Sequence, residues 1–239
     1  MLRVGLDMDG VVADFRSAFR DAVGALPGIR DLSDLQAGTL DAAEVKRAWK
    51  IVSAQPNWWM SLRPFEPDQI TRLYTLARHW KWEVFFLTRR PASDGDSVQF
   101  QTQWWLEQYG FYLPSVLTVP GSRGEIANAL RLDIVVDDQP LNCVEVISAS
   151  PTKAVLMLRD QSAQAERARA LDRGIGVVAS LQEAIDVLER LHKLLPARRG
   201  KLLRLSDWFV GARSTEPELP MNPRVTRPVP VPPGDAGGD

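Results

Sequence analysis

Six short apolar runs rich in branched residues constrain this chain most: Leu2–Leu6, Val84–Leu87, Val116–Val119, Ile134–Val136, Ala154–Leu158 and Ile175–Val178. Each is apolar almost throughout instead of alternating, which is the pattern of a strand covered on both faces. Helical periodicity fills the intervals over Ser97–Tyr109, Glu125–Leu130, Leu141–Ser148, Ser162–Asp172 and Ser180–Leu195. In the last of these Ser180 stands as N-cap with Glu183 three residues on. Strands alternating with helices predict an α/β fold, a doubly wound, Rossmann-like parallel sheet. A ligand of such a sheet sits beyond the carboxyl ends of the strands.

The alternation breaks once. Residues 15–70 hold helical stretches at Phe15–Val23 and Asp41–Val52 and a turn-rich Pro56-Asn57-Trp58-Trp59 segment, too long for a simple crossover. They read as a small helical cap inserted after the first strand, followed by a crossover helix at Asp68–His79. Residues 1–14 and 71–195 then form the core. Residues 196–239 shift in composition, with Pro196-Ala197-Arg198-Arg199-Gly200 as a linker and a proline-rich tail expected to be largely disordered. Within it Lys201–Val210 carries Leu202, Leu203, Leu205, Trp208 and Phe209, suited to docking on the core or on a second copy, so a homodimer is one expected assembly.

With 45% hydrophobic residues the chain can bury a core, and 29 basic against 30 acidic residues leave no global field to draw it to a nucleic-acid polymer or an anionic membrane. The single cysteine, Cys143, excludes an intrachain disulfide and a cysteine-rich zinc site, and points to a reducing cytoplasm. No apolar stretch is long enough to span a bilayer.

Carboxylates cluster where the first and fourth strands end. Asp7-Met8-Asp9-Gly10 follows the first run, with a glycine for a tight turn, and Asp137-Asp138 closes Ile134-Val135-Val136. Acids at the ends of such apolar strands cost desolvation energy unless a cation or hydrogen bonds compensate, and oxygen ligands of this kind suit magnesium. The second strand run ends in Thr88-Arg89-Arg90, a hydroxyl and two guanidiniums for a phosphate, and Arg123 stands at a helix start. Arg89 reads as the substrate contact and Arg90 as the more solvated of the two. Asp14 reads as the N-cap of the following helix. Trp49, Trp104 and Trp105 read as packing, and neither His79 nor His192 as a metal ligand.

In order and spacing these four signatures resemble the haloacid dehalogenase superfamily of phosphohydrolases. Within it, Pro56-Asn57-Trp58-Trp59-Met60-Ser61-Leu62-Arg63-Pro64-Phe65 is similar to the aromatic-rich stretch of the 5′(3′)-deoxyribonucleotidase group. The resemblance spans residues 1 to about 195. It departs at Arg123, where lysine is usual. It implies that Asp7 attacks phosphorus, that Asp9 is the general acid and base, and that Thr88, Arg89 and Arg123 bind the phosphoryl oxygens. It also implies that magnesium is held by Asp7, the Asp9 carbonyl and Asp138, with Asp137 acting from behind. The expected substrate is a small phosphate ester, a (deoxy)nucleoside 5′-monophosphate, its leaving group met by Trp58, Trp59 and Phe65, with one of the two tryptophans facing the crevice.

Three other readings stay open from sequence. A phosphatase for another ester shares all the chemistry. A signalling receiver domain has paired acids, a Thr and a cation, but in a different order along the chain. A non-catalytic adaptor would use Arg227-Pro228-Val229-Pro230-Val231-Pro232-Pro233.

Overall fold

The structure is a computed structural model and describes residues 1–23, 42–160 and 162–194. The linker, the proline-rich tail and Lys201–Val210 lie outside the described residues, as does part of the inserted segment.

The strands are β1 (Arg3–Asp7), β2 (Glu83–Thr88), β3 (Ser115–Thr118), β4 (Ile134–Asp137), β5 (Lys153–Met157) and β6 (Gly176–Val178). They form a single parallel sheet in the order β3-β2-β1-β4-β5-β6. Alternate side chains enter two separate clusters. Val4 and Leu6 of β1, Ile134 and Val136 of β4 and Val155 and Met157 of β5 join one; Val135, Ala154 and Leu156 join the other. Burial on both faces is why these strands are apolar without alternation. The doubly wound α/β fold expected from the sequence is the fold observed.

Among the described residues, helices α1 (Phe15–Val23), α2 (Ala42–Ser53) and α3 (Pro67–Trp80) separate β1 from β2, with one 3-10 turn at Trp58–Met60. Asp14 Oδ1 accepts from Ser17 N at 3.1 Å and so caps α1. Phe19, Ala48, Val52, Trp58 and Trp59 of the insertion belong to the same buried cluster as β1. The inserted helices therefore share the main core instead of building their own. Its two connectors are tied together: Asp14 N donates to Arg63 O at 2.8 Å and Phe65 N to Val12 O at 3.1 Å.

Beyond β2 follow α4 (Val98–Gln108), α5 (Arg123–Ala129), α6 (Pro140–Ala149), α7 (Gln164–Asp172) and α8 (181–194). α8 begins as its sequence predicts, with Ser180 Oγ accepting from Glu183 N and Glu183 reaching back to Ala179 N. Gly124 lets α5 lie against α6, since a Cβ there would collide with the carbonyl of Glu145. Trp105 packs in the core and donates to Leu62 O, whereas Trp104 is exposed. His192 stacks on Trp80 and accepts from Trp82 Nε1. Among the described residues no helix is long and apolar enough to cross a membrane.

Candidate active site

β1 lies between β2 and β4, the point where strand order reverses, and their carboxyl ends bring Asp7, Thr88 and Asp137 together. A cavity of about 380 Å³ opens there, lined by Asp7, Asp9, Thr88, Arg89, Arg90, Arg123 and Asp138. Asp137 lies behind this wall, fully buried.

The turn after β1 is fixed by its own backbone. Val12 N and Ala13 N both donate to Met8 O, at 2.9 and 2.8 Å, and Gly10 adopts φ 84°. Glycine is needed there twice over, because a Cβ would meet both left-handed strain and the Asp138 carboxylate packed against it. Arg159, just past β5, donates to the carbonyls of Gly10 and Val11 at 3.0 and 2.7 Å and pairs with Glu66.

Two arginines hold the acids. Arg123, 1% exposed, pairs with the carboxylates of Asp7 and Asp137, and its Nη1 has no hydrogen-bond partner among the described residues. Asp137 also accepts from Asn142 Nδ2 at 2.9 Å and from Gln139 N at 2.9 Å, so its oxygens are occupied in orienting Arg123. Arg90 forks Asp9, Nη2 to Oδ1 at 2.7 Å and Nε to Oδ2 at 3.0 Å. The solvated role expected of Arg90 is thus corrected, since its side chain is wholly buried. A charged partner across the crevice outweighs the habit of arginines to stay wet after a strand. Arg89 is the exposed one, donating to Gly121 O at 2.6 Å from the cavity wall.

Burial lifts the pKa of Asp7, reinforced by repulsion from Asp137, Asp138 and Asp9 and opposed by Arg123. Burial also raises Asp137 against the pull of Arg123 and its hydrogen bonds. Asp138 is raised to about 7, by burial first and then by Asp137 and Asp9.

The leaving-group side is aromatic: of the three aromatic residues expected there, Trp59 lines the cavity and Trp58 and Phe65 do not. Phe15, Trp49 and Trp59 line the cavity, and the Phe15 ring is nearly parallel to both indoles, at 17° and 20° with centroids 5.9 Å away in each case. Trp59 is pinned by Nε1–H to Pro91 O at 3.0 Å. Both indoles are buried, and of the two it is Trp59 that lines the cavity. A 3-10 turn directs Trp58 onto the edge of Phe15, away from this cavity. Phe65 is not at the cavity either; its ring lies 3.8 Å beneath the Arg159 guanidinium. Trp49, read as packing from its spacing with Val45 and Val52, is half-buried on the cavity wall. Its exposure depends on how α2 meets α1, which helical spacing does not encode.

No family model and no curated protein matches the sequence. Among solved structures, the chain is similar to one assigned as a beta-phosphoglucomutase from Thermotoga maritima. The identity is 17% and the TM-score 0.43, covering 80% of this chain and 99% of that one. It is also similar to a 2-haloacid dehalogenase from Pseudomonas syringae pv. Tomato DC3000, at 13% identity and TM-score 0.42 over the same shares.

Proposed function

We propose that the chain is a magnesium-dependent phosphomonoesterase of the haloacid dehalogenase type, which hydrolyses nucleoside 5′-monophosphates to nucleoside and phosphate. The observation that carries this reading is the buried pair of Asp7 and Arg123. A nucleophilic carboxylate stands beside a guanidinium whose buried Nη1 has no hydrogen-bond partner among the described residues and could donate to a phosphoryl oxygen.

Among the described residues no three His, Cys, Asp or Glu side chains are arranged to hold a metal by themselves. Magnesium asks for less, one or two carboxylates completed by waters and phosphate oxygens. Burial first, and then mutual repulsion, raises Asp7 and Asp138, and a bound cation would offset both effects. Asp7, Asp138 and the Asp9 carbonyl would hold the ion, with Asp137 steadying Arg123 behind them. When bound, it would supply positive charge that lets one anion approach another.

In the first step an Asp7 carboxylate oxygen bonds to phosphorus while the bond from phosphorus to the ester oxygen breaks, and Asp9 delivers a proton to the departing oxygen. Arg123 Nη1–H and the Thr88 hydroxyl stabilise the equatorial oxygens. In the second step Asp9 takes a proton from water, whose oxygen bonds to phosphorus as the bond to Asp7 breaks. Phosphate leaves, and both carboxyl groups return to their starting states. Phe15, Trp49 and Trp59 offer a flat wall to a nucleobase. That wall favours a nucleotide over a phosphosugar, which has no planar π-face to stack on it. Phosphate release from a panel of esters, with magnesium and with chelator, tests the reading. Release fastest from nucleotides and lost with chelator supports it. Release from sugar phosphates alone would move the substrate, and chelator-resistant release would contradict the ligand set.

A further inference from the structure

Arg90 is more constrained than a phosphate-binding arginine needs to be. Its side chain is 0% exposed, and all three of its nitrogens have partners. Nε and Nη2 grip both oxygens of Asp9, at 3.0 and 2.7 Å. Nη1 donates to Thr102 Oγ1 at 3.0 Å. The Thr102 hydroxyl donates its own hydrogen to Val98 O at 2.7 Å, so it can only accept from Arg90. The guanidinium carbon lies 4.7 Å from the centroid of the Trp59 ring, which covers it on one side. The backbone helps too, because Arg90 N donates to Thr88 Oγ1 at 3.3 Å. A planar fork fixed by β2, α4 and the 3-10 turn can thus set the plane of a carboxylate that sits on a different loop.

We infer that Arg90 is a positioning residue for Asp9, fixing the direction in which that carboxyl group exchanges its proton, and that it is not a ligand of the phosphoryl group. The inference rests on the phosphomonoesterase reading, in which Asp9 is the acid and base. Arg123 is the contrast: it too is buried between acids, but its Nη1 has no hydrogen-bond partner among the described residues.

A residue that acts through Asp9 has a distinctive signature. Replacing it should lower kcat with little change in KM, and should do nothing further once Asp9 is gone. The test compares wild type, Arg90→Met, Asp9→Asn and the double variant, using p-nitrophenyl phosphate and an alkyl phosphate with magnesium present. Arg90→Met should lower kcat by roughly 10- to 100-fold on the alkyl ester, a part of the ~10²–10⁴-fold that positioned acid–base work contributes. The loss should be smaller on p-nitrophenyl phosphate, whose leaving oxygen needs less help from a proton. KM should stay within about 2-fold, since ground-state binding is untouched. In the Asp9→Asn background Arg90→Met should change nothing more.

Should Arg90→Met not fold, Arg90→Lys and Thr102→Val serve instead. The lysine keeps the charge but cannot fork, and is expected to restore melting temperature without restoring kcat. Additive losses in the double variant, or a KM that rises while kcat holds, would overturn the positioning role and leave the phosphatase reading standing. A wild-type protein that releases phosphate from no ester would overturn both.

Discussion

Arg123 at the start of α5 donates into the carboxylate of Asp7 at the end of β1, across a sequence separation of 116 residues. The same guanidinium reaches Asp137 at 3.3 Å, so one cation ties the two central strand ends together. Removing it leaves two buried carboxylates without the cation that they share. Arg123→Ala is therefore expected to cost about 3–5 kcal/mol of stability, the range for breaking a buried pair from one side. Arg123→Lys keeps the charge but cannot fork, so it should retain turnover and lose part of the stability. Denaturant unfolding of both variants checks this. An unchanged midpoint in the alanine variant would mean that the pair is not formed.

Trp49 and Trp58 should separate in their effects. Trp49 lines the cavity beside Phe15, so Trp49→Ala is expected to lower kcat/KM for nucleoside monophosphates by roughly 5- to 150-fold, the scale of base stacking on an aromatic ring. Hydrolysis of p-nitrophenyl phosphate should fall less. Trp58 is buried away from that cavity, so Trp58→Ala should cost stability, about 3–5 kcal/mol, and spare the preference among substrates. Equal losses on both substrates for Trp49→Ala would make it packing only.

Glu66 governs a pH effect on stability from outside the acidic cluster. Burial works against its charge, but hydrogen bonds from Leu181 N, Arg159 and Gln182 N together outweigh it and hold its pKa below the ordinary 4.5. A depressed carboxylate pKa stabilises the fold above the unfolded value, and that stability is lost as pH falls from 4.5 toward the folded value. Glu66→Gln should thus be less stable than wild type at neutral pH, with the gap narrowing as the solution is acidified through this window. Melting curves across that range decide it; a constant gap would show that the charge contributes nothing.

Strands and helices were legible in this sequence because strands buried on both faces and capped helices leave local marks. Ser180 with Glu183 is one such mark, and Ile134-Val135-Val136 another. The acids at the ends of β1 and β4 were legible for the same reason, being polar where the chain has just been apolar. What stayed hidden depends on long-range partners. Nothing near Arg90 announces that Asp9, 81 residues earlier, will take its side chain out of water. Trp49, Trp58 and Phe65 have similar local signals, and only the packing of α1 against α2 and the reach of Arg159 decide which ring meets the cavity. That the insertion shares the core of the sheet was equally invisible, since an amphipathic helix looks the same whichever core it covers.

The central claim is that Asp7 itself becomes phosphorylated. Enzyme mixed with a nucleoside monophosphate and magnesium, quenched within a turnover and reduced with borohydride, should yield a peptide in which the Asp7 acyl phosphate has been converted to homoserine. Asp7→Asn, folded and tested alongside, should show neither the conversion nor phosphate release. Steady phosphate release by the Asp7→Asn protein, or a trapped phosphoryl group at any other residue, would contradict the account.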